Sequence, residues 1–251
     1  MNKVYGFMSS KFTPKFEDHH SVILRAYSNL LLVHQLLDDT KQISKLKAEI
    51  HNYANEFLNH QLKNGSFPIM PQNGATRDLF HQVKDIASSL KIGRAHLHCQ
   101  LKANIGLLLA YKATRAEEYL ISAKNNFEWV IKNLLLPNGA VKWNVANFEN
   151  FFEIHQMLFL ICSKYIYDLS GGKYDYTPYA ISVWKFLLGD NPAEIDMYVQ
   201  NYKSTGAFFS FRCLDDKGKL IQYKELYGLF KGAYEMGYTL WALALNKNLS
   251  L

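Results

Sequence analysis

Cysteine is nearly absent from this chain. Cys99, Cys162 and Cys213 lie far apart and form no C-x-x-C pair, which excludes a disulfide framework and a zinc ribbon. They read as reduced, buried thiols. Proline is scarce, at 6 residues, and this excludes collagen-like and proline-rich chains. No apolar run approaches the roughly 20 residues of a membrane-spanning helix; stretches 30–33, 107–111 and 157–162 are short and flanked by polar groups. Residues 1–8 contain one lysine and no continuous apolar segment, so no secretory leader is read there and a cytoplasmic location is expected. Charge of one sign never accumulates. The net +6, from 28 Lys+Arg against 22 Asp+Glu, is spread along the chain, which mildly favours an anionic partner and gives no reason to expect nucleic acid or membrane.

What is present is apolar and aromatic. Apolar residues make up 49% of the chain, enough for one large core, so a single domain over 1–251 is expected, with 1–17 as an N-terminal extension. Helical periodicity dominates. Ile43, Leu46, Ile50, Tyr53, Ala54, Phe57 and Leu58 follow the spacing of one buried helix face, and Tyr119, Leu120, Ala123, Phe127, Val130, Ile131 and Leu134 repeat it. Each of these one-sided helices follows a more continuously apolar one, over 22–37 and 97–111. A helix apolar on most of its circumference is buried on most sides. The chain therefore alternates inner, all-round apolar helices with outer, amphipathic ones.

The junctions carry helix-start signals. Asp39-Thr40-Lys41-Gln42 and Thr114-Arg115-Ala116-Glu117 read as capping boxes, and Thr177-Pro178 as a capping hydroxyl before a first-turn proline, after the Gly171-Gly172 break. Inner helix, short turn, outer helix and Gly-bearing loop recur through Asn64-Gly65-Ser66-Phe67, through Asn138-Gly139-Ala140-Val141, and more weakly up to Gly189-Asp190. A last inner helix over 226–245 has no outer partner. Repeated hairpins must stack to bury their faces. The expected fold is all-α, an α/α toroid of helical hairpins, as a partial ring. One small β-hairpin is expected near the C-terminus, from 206–212 and 219–223 around Asp215-Asp216-Lys217-Gly218.

The loops after outer helices, such as Gln61-Leu62-Lys63-Asn64-Gly65-Ser66-Phe67, resemble those of the α/α-toroid superfamilies: six-hairpin glycosidases, toroid polysaccharide lyases, uronyl epimerases and, more distantly, terpenoid cyclases. The Gln61, Gly65 and Phe67 spacing is similar to the Q-x-x-x-G-x-W repeat of triterpene cyclases, with Phe67 in place of Trp. The D-x-D-D acid of those cyclases is absent. Asp38-Asp39 lies at the short-turn end, where Asp39 serves as a helix cap.

Turns within hairpins are short, while the connections over 62–91, 135–150 and 189–225 are long and emerge beside the N-termini of inner helices. Long loops on a rigid scaffold concentrate function, and helix N-termini favour anions. Polar residues gather there: Glu17-Asp18-His19-His20, His96 and His98, Glu153 and His155, and Tyr223-Lys224-Glu225. His96 and His98 point about 200° apart on a helix and do not share an ion, so no metal and no cofactor are expected. Arg77 and Asp78 sit in the longest irregular stretch, where Arg77 either anchors the loop or meets an anionic ligand group.

The toroid resemblance implies a carbohydrate-active protein with Asn, His, Tyr and Arg side chains in its cleft. On that basis an oligosaccharide or polysaccharide partner is expected, with β-elimination or C5 epimerisation at a uronate. His155 or His96 is the base, Tyr198 or Tyr223 the acid, and Arg212 or Arg77 the carboxylate partner, with Asp78, Trp143 and Glu225 as further binding residues. His155 leads because Phe151, Phe152 and Ile154 around it would favour a neutral imidazole; a hydrogen-bonded core histidine beside Gln156 is the alternative. The rival chemistry is glycoside hydrolysis by two of Asp78, Glu153, Glu225 and Glu235. The rival class is a non-catalytic binding module or a piece of a larger toroid, with a homo-oligomer formed through the 226–245 face.

Overall fold

The computed structural model describes residues 20–67, 97–142, 150–190, 211–213 and 233–247. Among these residues are seven helices: α1 (Ser21–Leu36), α2 (Thr40–His60), α3 (Leu97–Thr114), α4 (Glu117–Leu134), α5 (Glu153–Leu169), α6 (Thr177–Leu188) and α7 (Ala233–Leu245). Helices α1, α3, α5 and α7 pack side by side in chain order, and α2, α4 and α6 pack behind the inner helix that precedes each. This is the inner-and-outer alternation of an α/α toroid, and it follows the apolar pattern. The inner α3 is buried on nearly every side, with Leu101, Ile105, Leu107 and Leu108 all inaccessible to solvent. The outer α2 buries only the stripe Leu46, Ile50, Ala54 and Phe57. Close approach of α1 and α3 depends on Gly106, where an added Cβ would meet Leu24 Cδ2 at 3.3 Å and the Ser21 carbonyl oxygen at 3.5 Å.

The hairpin turns agree with the sequence in one case and correct it in two. Asp39 caps α2 as expected: its Oδ1 accepts from the Gln42 N–H at 3.2 Å, and its Oδ2 lies 3.2 Å from Nδ1 of the buried His34. Thr114, expected to cap α4, is instead the last residue of α3; its hydroxyl donates back to the Ala110 carbonyl. Arg115 then turns the chain with φ +65°, and α4 starts after Ala116 without a side-chain cap. Thr177 is already inside α6, and Asp175 makes the expected contact by accepting from the Thr177 N–H at 2.8 Å. Hydrogen bonding from the Thr177 side chain, and then from its N–H, holds the Asp175 carboxyl below its ordinary range.

Both Asn-Gly loops have one conformation. Leu62 N–H donates to Ser66 O and Gly65 N–H to Leu62 O; Leu136 and Gly139 do the same with Ala140 O and Leu136 O. Asn64 Oδ1 accepts from Ser66 N–H, as Asn138 Oδ1 does from Ala140 N–H. Each glycine has positive φ and lies against the backbone of the next outer helix. A Cβ on Gly65 would come within 2.4 Å of Asn125 O, and one on Gly139 within 2.1 Å of Ser182 O. The next inner helix then grips the loop through a glutamine amide. Phe67 N–H donates to Gln100 Oε1 at 2.8 Å, and Gln100 Nε2 donates to Phe67 O at 2.6 Å. Val141 and Gln156 repeat this at 2.9 Å for both bonds. The first two long connections therefore leave beside the N-terminal turns of α3 and α5, as the loop lengths implied.

One arm of the expected β-hairpin is described, and it pairs with a strand the sequence reading did not anticipate. Phe211–Cys213 is a strand, β2, but its partner is β1 (Asn150–Phe152) in the connection before α5, paired antiparallel with Phe151 opposite Arg212. The stretch 219–223 lies outside the described residues.

Three substitutions test this packing. Phe127 on α4 is fully buried, with ring centroids 4.6 Å from Phe159 and 5.1 Å from Tyr176. Phe127→Ala is expected to cost about 3–5 kcal/mol in chemical unfolding; a loss below about 1 kcal/mol would contradict the packing. Gly65→Ala combines left-handed strain with a backbone clash and should cost more than about 3 kcal/mol. Gly171→Ala, at φ +64° with nothing within 4 Å of its Cβ, should cost only about 1–2 kcal/mol. Equal melting temperatures for the two variants would refute the close approach.

Candidate functional site

His155 occupies the first turn of α5, where the sequence placed it, and is 3% exposed. It precedes Gln156, the clasp of Val141, and stands two turns before Cys162 on the same side of the helix. Cys162 Sγ lies 3.5 Å from the Leu101 carbonyl oxygen of α3, so this side of α5 is the one facing α3. Burial pushes the Cys162 thiol well up, which makes it a packing group and no nucleophile. The β1–β2 pairing brings the backbone of Arg212 to the strand that leads into α5, so these two sequence candidates share one end of the layer. Glu153 and Glu235 lie in the first turns of α5 and α7. His96, Tyr198, Tyr223, Arg77, Asp78, Trp143 and Glu225 lie outside the described residues. Among the described residues, no three His, Cys, Asp or Glu side chains come together as a metal site.

Sequence reasoning missed a second group, on the inner face. Arg25 Nη1 of α1 donates to Tyr238 Oη of α7 at 2.9 Å. These are the first and last inner helices described, and α2 already covers the back of α1, so the bond runs across the concave side of the inner layer. Trp241, one turn beyond Tyr238, stacks on it with centroids 6.1 Å apart and planes 23° apart. It also meets Tyr165 of α5 edge-on at 5.9 Å and 78°. Arg25, Trp241 and Tyr165 are each half-buried, while Tyr238 is buried.

The array thus joins a cation of α1 to three aromatic rings on α5 and α7. Burial, above all, raises the Tyr165 phenol above its ordinary value, with Asp168 and Cys162 adding to it and a hydrogen bond involving Trp241 opposing. Tyr165 therefore stays protonated at neutral pH and keeps its O–H as a donor. Guanidinium remains charged throughout the same range. Faint signals for this group do exist in the sequence: Arg25 is the one Lys or Arg in α1, and Tyr238 and Trp241 stand at helical spacing.

Searches for related proteins return structures alone: no family model and no curated protein matches the chain. One similar structure is an inactive variant of an alpha-1,6-mannanase of Salegentibacter sp. HEL1_6 in complex with alpha-1,6-mannotetrose. It is 15% identical, has a TM-score of 0.48, and the match covers 76% of this chain and 61% of that one. Another is a D-mannose isomerase at 14% identity and TM-score 0.48, with 92% of this chain and 70% of that one covered. The chain thus spans less than two thirds of the mannanase chain.

The Arg25–Tyr238 bridge is testable by a double-mutant cycle of Arg25→Met and Tyr238→Phe. A coupling of about 1–2 kcal/mol in unfolding free energy is expected, because each single change leaves the other group without its partner. Coupling near zero would show that the two helices do not meet through these side chains.

Proposed function

We propose that this chain is a carbohydrate-active protein that receives an acidic, uronate-containing glycan on the concave face of its inner helices. The observation that carries this reading is the Arg25, Tyr238, Trp241 and Tyr165 array. Half-buried aromatic rings offer apolar faces to the C–H side of a pyranose, and a phenol offers a donor to its hydroxyls. A guanidinium beside them suits a carboxylate, which it meets with paired N–H donors. Among the inner helices, the carboxylates are confined to α5, with Glu153 and Asp168, and α7, with Glu235. Helices α1 and α3 contain no Asp or Glu, but hold Arg25, Lys102 and Lys112. This favours an anionic substrate over hydrolysis by two carboxylates, which would have to come from Asp78, Glu153, Glu225 or Glu235.

The reaction proposed starts with removal of the proton on C5 of the uronate. The electron pair left on C5 delocalises into the carboxylate, and a cation against that group lowers the barrier. His155 is the proposed base, at the start of α5, with His96 as the other candidate. In β-elimination the C4–O4 bond breaks as the C4–C5 double bond forms, and Tyr198 or Tyr223 returns a proton to the leaving oxygen. In epimerisation the proton returns to C5 from the opposite face. Arg212 and Arg77 are the further carboxylate partners proposed, and Trp143, Asp78 and Glu225 the further sugar contacts.

Incubation with a panel of polyuronates and neutral mannans tests the reading. Elimination gives a product absorbing in the near ultraviolet, and epimerisation gives solvent deuterium at C5 without chain cleavage. His155→Gln should lower turnover by about 10²–10⁴ when measured well below the melting temperature of the variant, a loss beyond what its lower stability accounts for, since His155 is 3% exposed. Reducing ends released from neutral mannans, with the polyuronates untouched, would overturn the proposal.

A further inference from the structure

A groove of about 490 Å³ lies on the outer layer, behind the concave face, between the loop after α2 and the helix α4. That volume falls within the roughly 300–1,000 Å³ of small-ligand sites. Its charged and polar lining comprises Lys63, Lys132, Glu128, Asn125 and Asn133, with Trp129 beside them. The walls are fixed. Gln61 Nε2 donates to Gly65 O and Ser122 O, Ser122 Oγ donates to Gln61 Oε1, and Asn126 Nδ2 donates to Gly65 O. The loop therefore cannot fold into the groove without breaking three bonds to α4.

The charges are unevenly matched. Glu128 accepts from Lys124 Nζ at 2.8 Å and from Tyr176 Oη at 3.0 Å, so its carboxylate is already neutralised and held. Lys63 and Lys132 are exposed and make no ion pair or hydrogen bond with any described residue. Asn133 gives its Nδ2 to Trp129 O and keeps its Oδ1 as an acceptor, while the Asn125 amide bonds to none of the described residues.

The repeat shows that the fold does not require this lining. Gly65 rests on Asn125 as Gly139 rests on Ser182, and counting from those contacts sets Lys63 against Pro137, Trp129 against Phe186 and Lys132 against Gly189. The second copy has neither lysine. There, Lys185 is paired with Asp190 at 3.4 Å.

We infer that this groove is a second binding site, for a carboxylated sugar. Lys63 and Lys132 hold the carboxylate, Asn125 and Asn133 take ring hydroxyls, and the buried Trp129 forms part of the groove wall behind them. The inference rests on the groove alone and does not depend on turnover at the concave face.

Titration of the full chain with tetragalacturonate, followed by two-dimensional NMR, tests it. The Trp129 indole N–H and the amides of Asn125 and Asn133 should shift, while neutral mannotetraose leaves them in place. The double variant Lys63→Gln, Lys132→Gln should lose at least roughly tenfold in affinity with an unchanged melting temperature, since both side chains are exposed. Arg25→Gln should leave these shifts unaltered. Equal shifts with the neutral sugar, no response to the double variant, or no shifts at millimolar tetragalacturonate would each overturn the site. Binding of inorganic sulfate as tight as that of the sugar would reduce it to an adventitious ion only.

Discussion

The layer order of this protein depends on a glutamine amide that satisfies both backbone groups of one loop residue. Without Gln100, the N–H and carbonyl of Phe67 would be buried with no partner, and each such group costs about 1–3 kcal/mol. With it, the end of an outer helix is tied to the start of the next inner helix. Asn126 joins the same network by donating to Gln100 Oε1 at 2.6 Å, so a third helix is held to the same point. Gln156 repeats the clasp on Val141 with a simpler surround. The glycine two residues before each clasped residue makes the geometry attainable, since its backbone must pass directly over the next outer helix.

Local sequence carried the helices because burial period and helix period coincide. The stripes on α2 and α4 gave their faces residue by residue, and Asp39 gave one cap. The errors share a cause: local patterns with more than one solution. Thr114-Arg115-Ala116-Glu117 satisfies the spacing of a capping box, yet the left-handed turn at Arg115 and the back-bond of Thr114 to Ala110 use the hydroxyl elsewhere. Asp175 displaced Thr177 in the same way. The strand at Phe211–Cys213 was visible from its composition, but its partner in a different connection was not.

The concave array was hidden for a different reason. Arg25 and Tyr238 come together only when four inner helices stand side by side, and no local window contains both. Tyr238 and Trp241 read alone as the apolar face of a helix. Conversely, most of the residues singled out for chemistry sit in the long connections, where neither periodicity nor capping constrains position. His155 is the exception because it lies one residue from a clasp.

The two clasps span unequal stretches of chain: Phe67 and Gln100 are 33 residues apart, Val141 and Gln156 only 15. Both ends of each connection are nonetheless held in one arrangement. The scaffold is therefore indifferent to what is threaded between its anchor points. A connection can gain or lose a dozen residues for a closure cost that changes by only about 0.6 kcal/mol per doubling of length. Helix positions, and with them the concave wall, are insulated from the loops that border it. A protein built this way can exchange the specificity of its rim while keeping the same barrel of helices beneath.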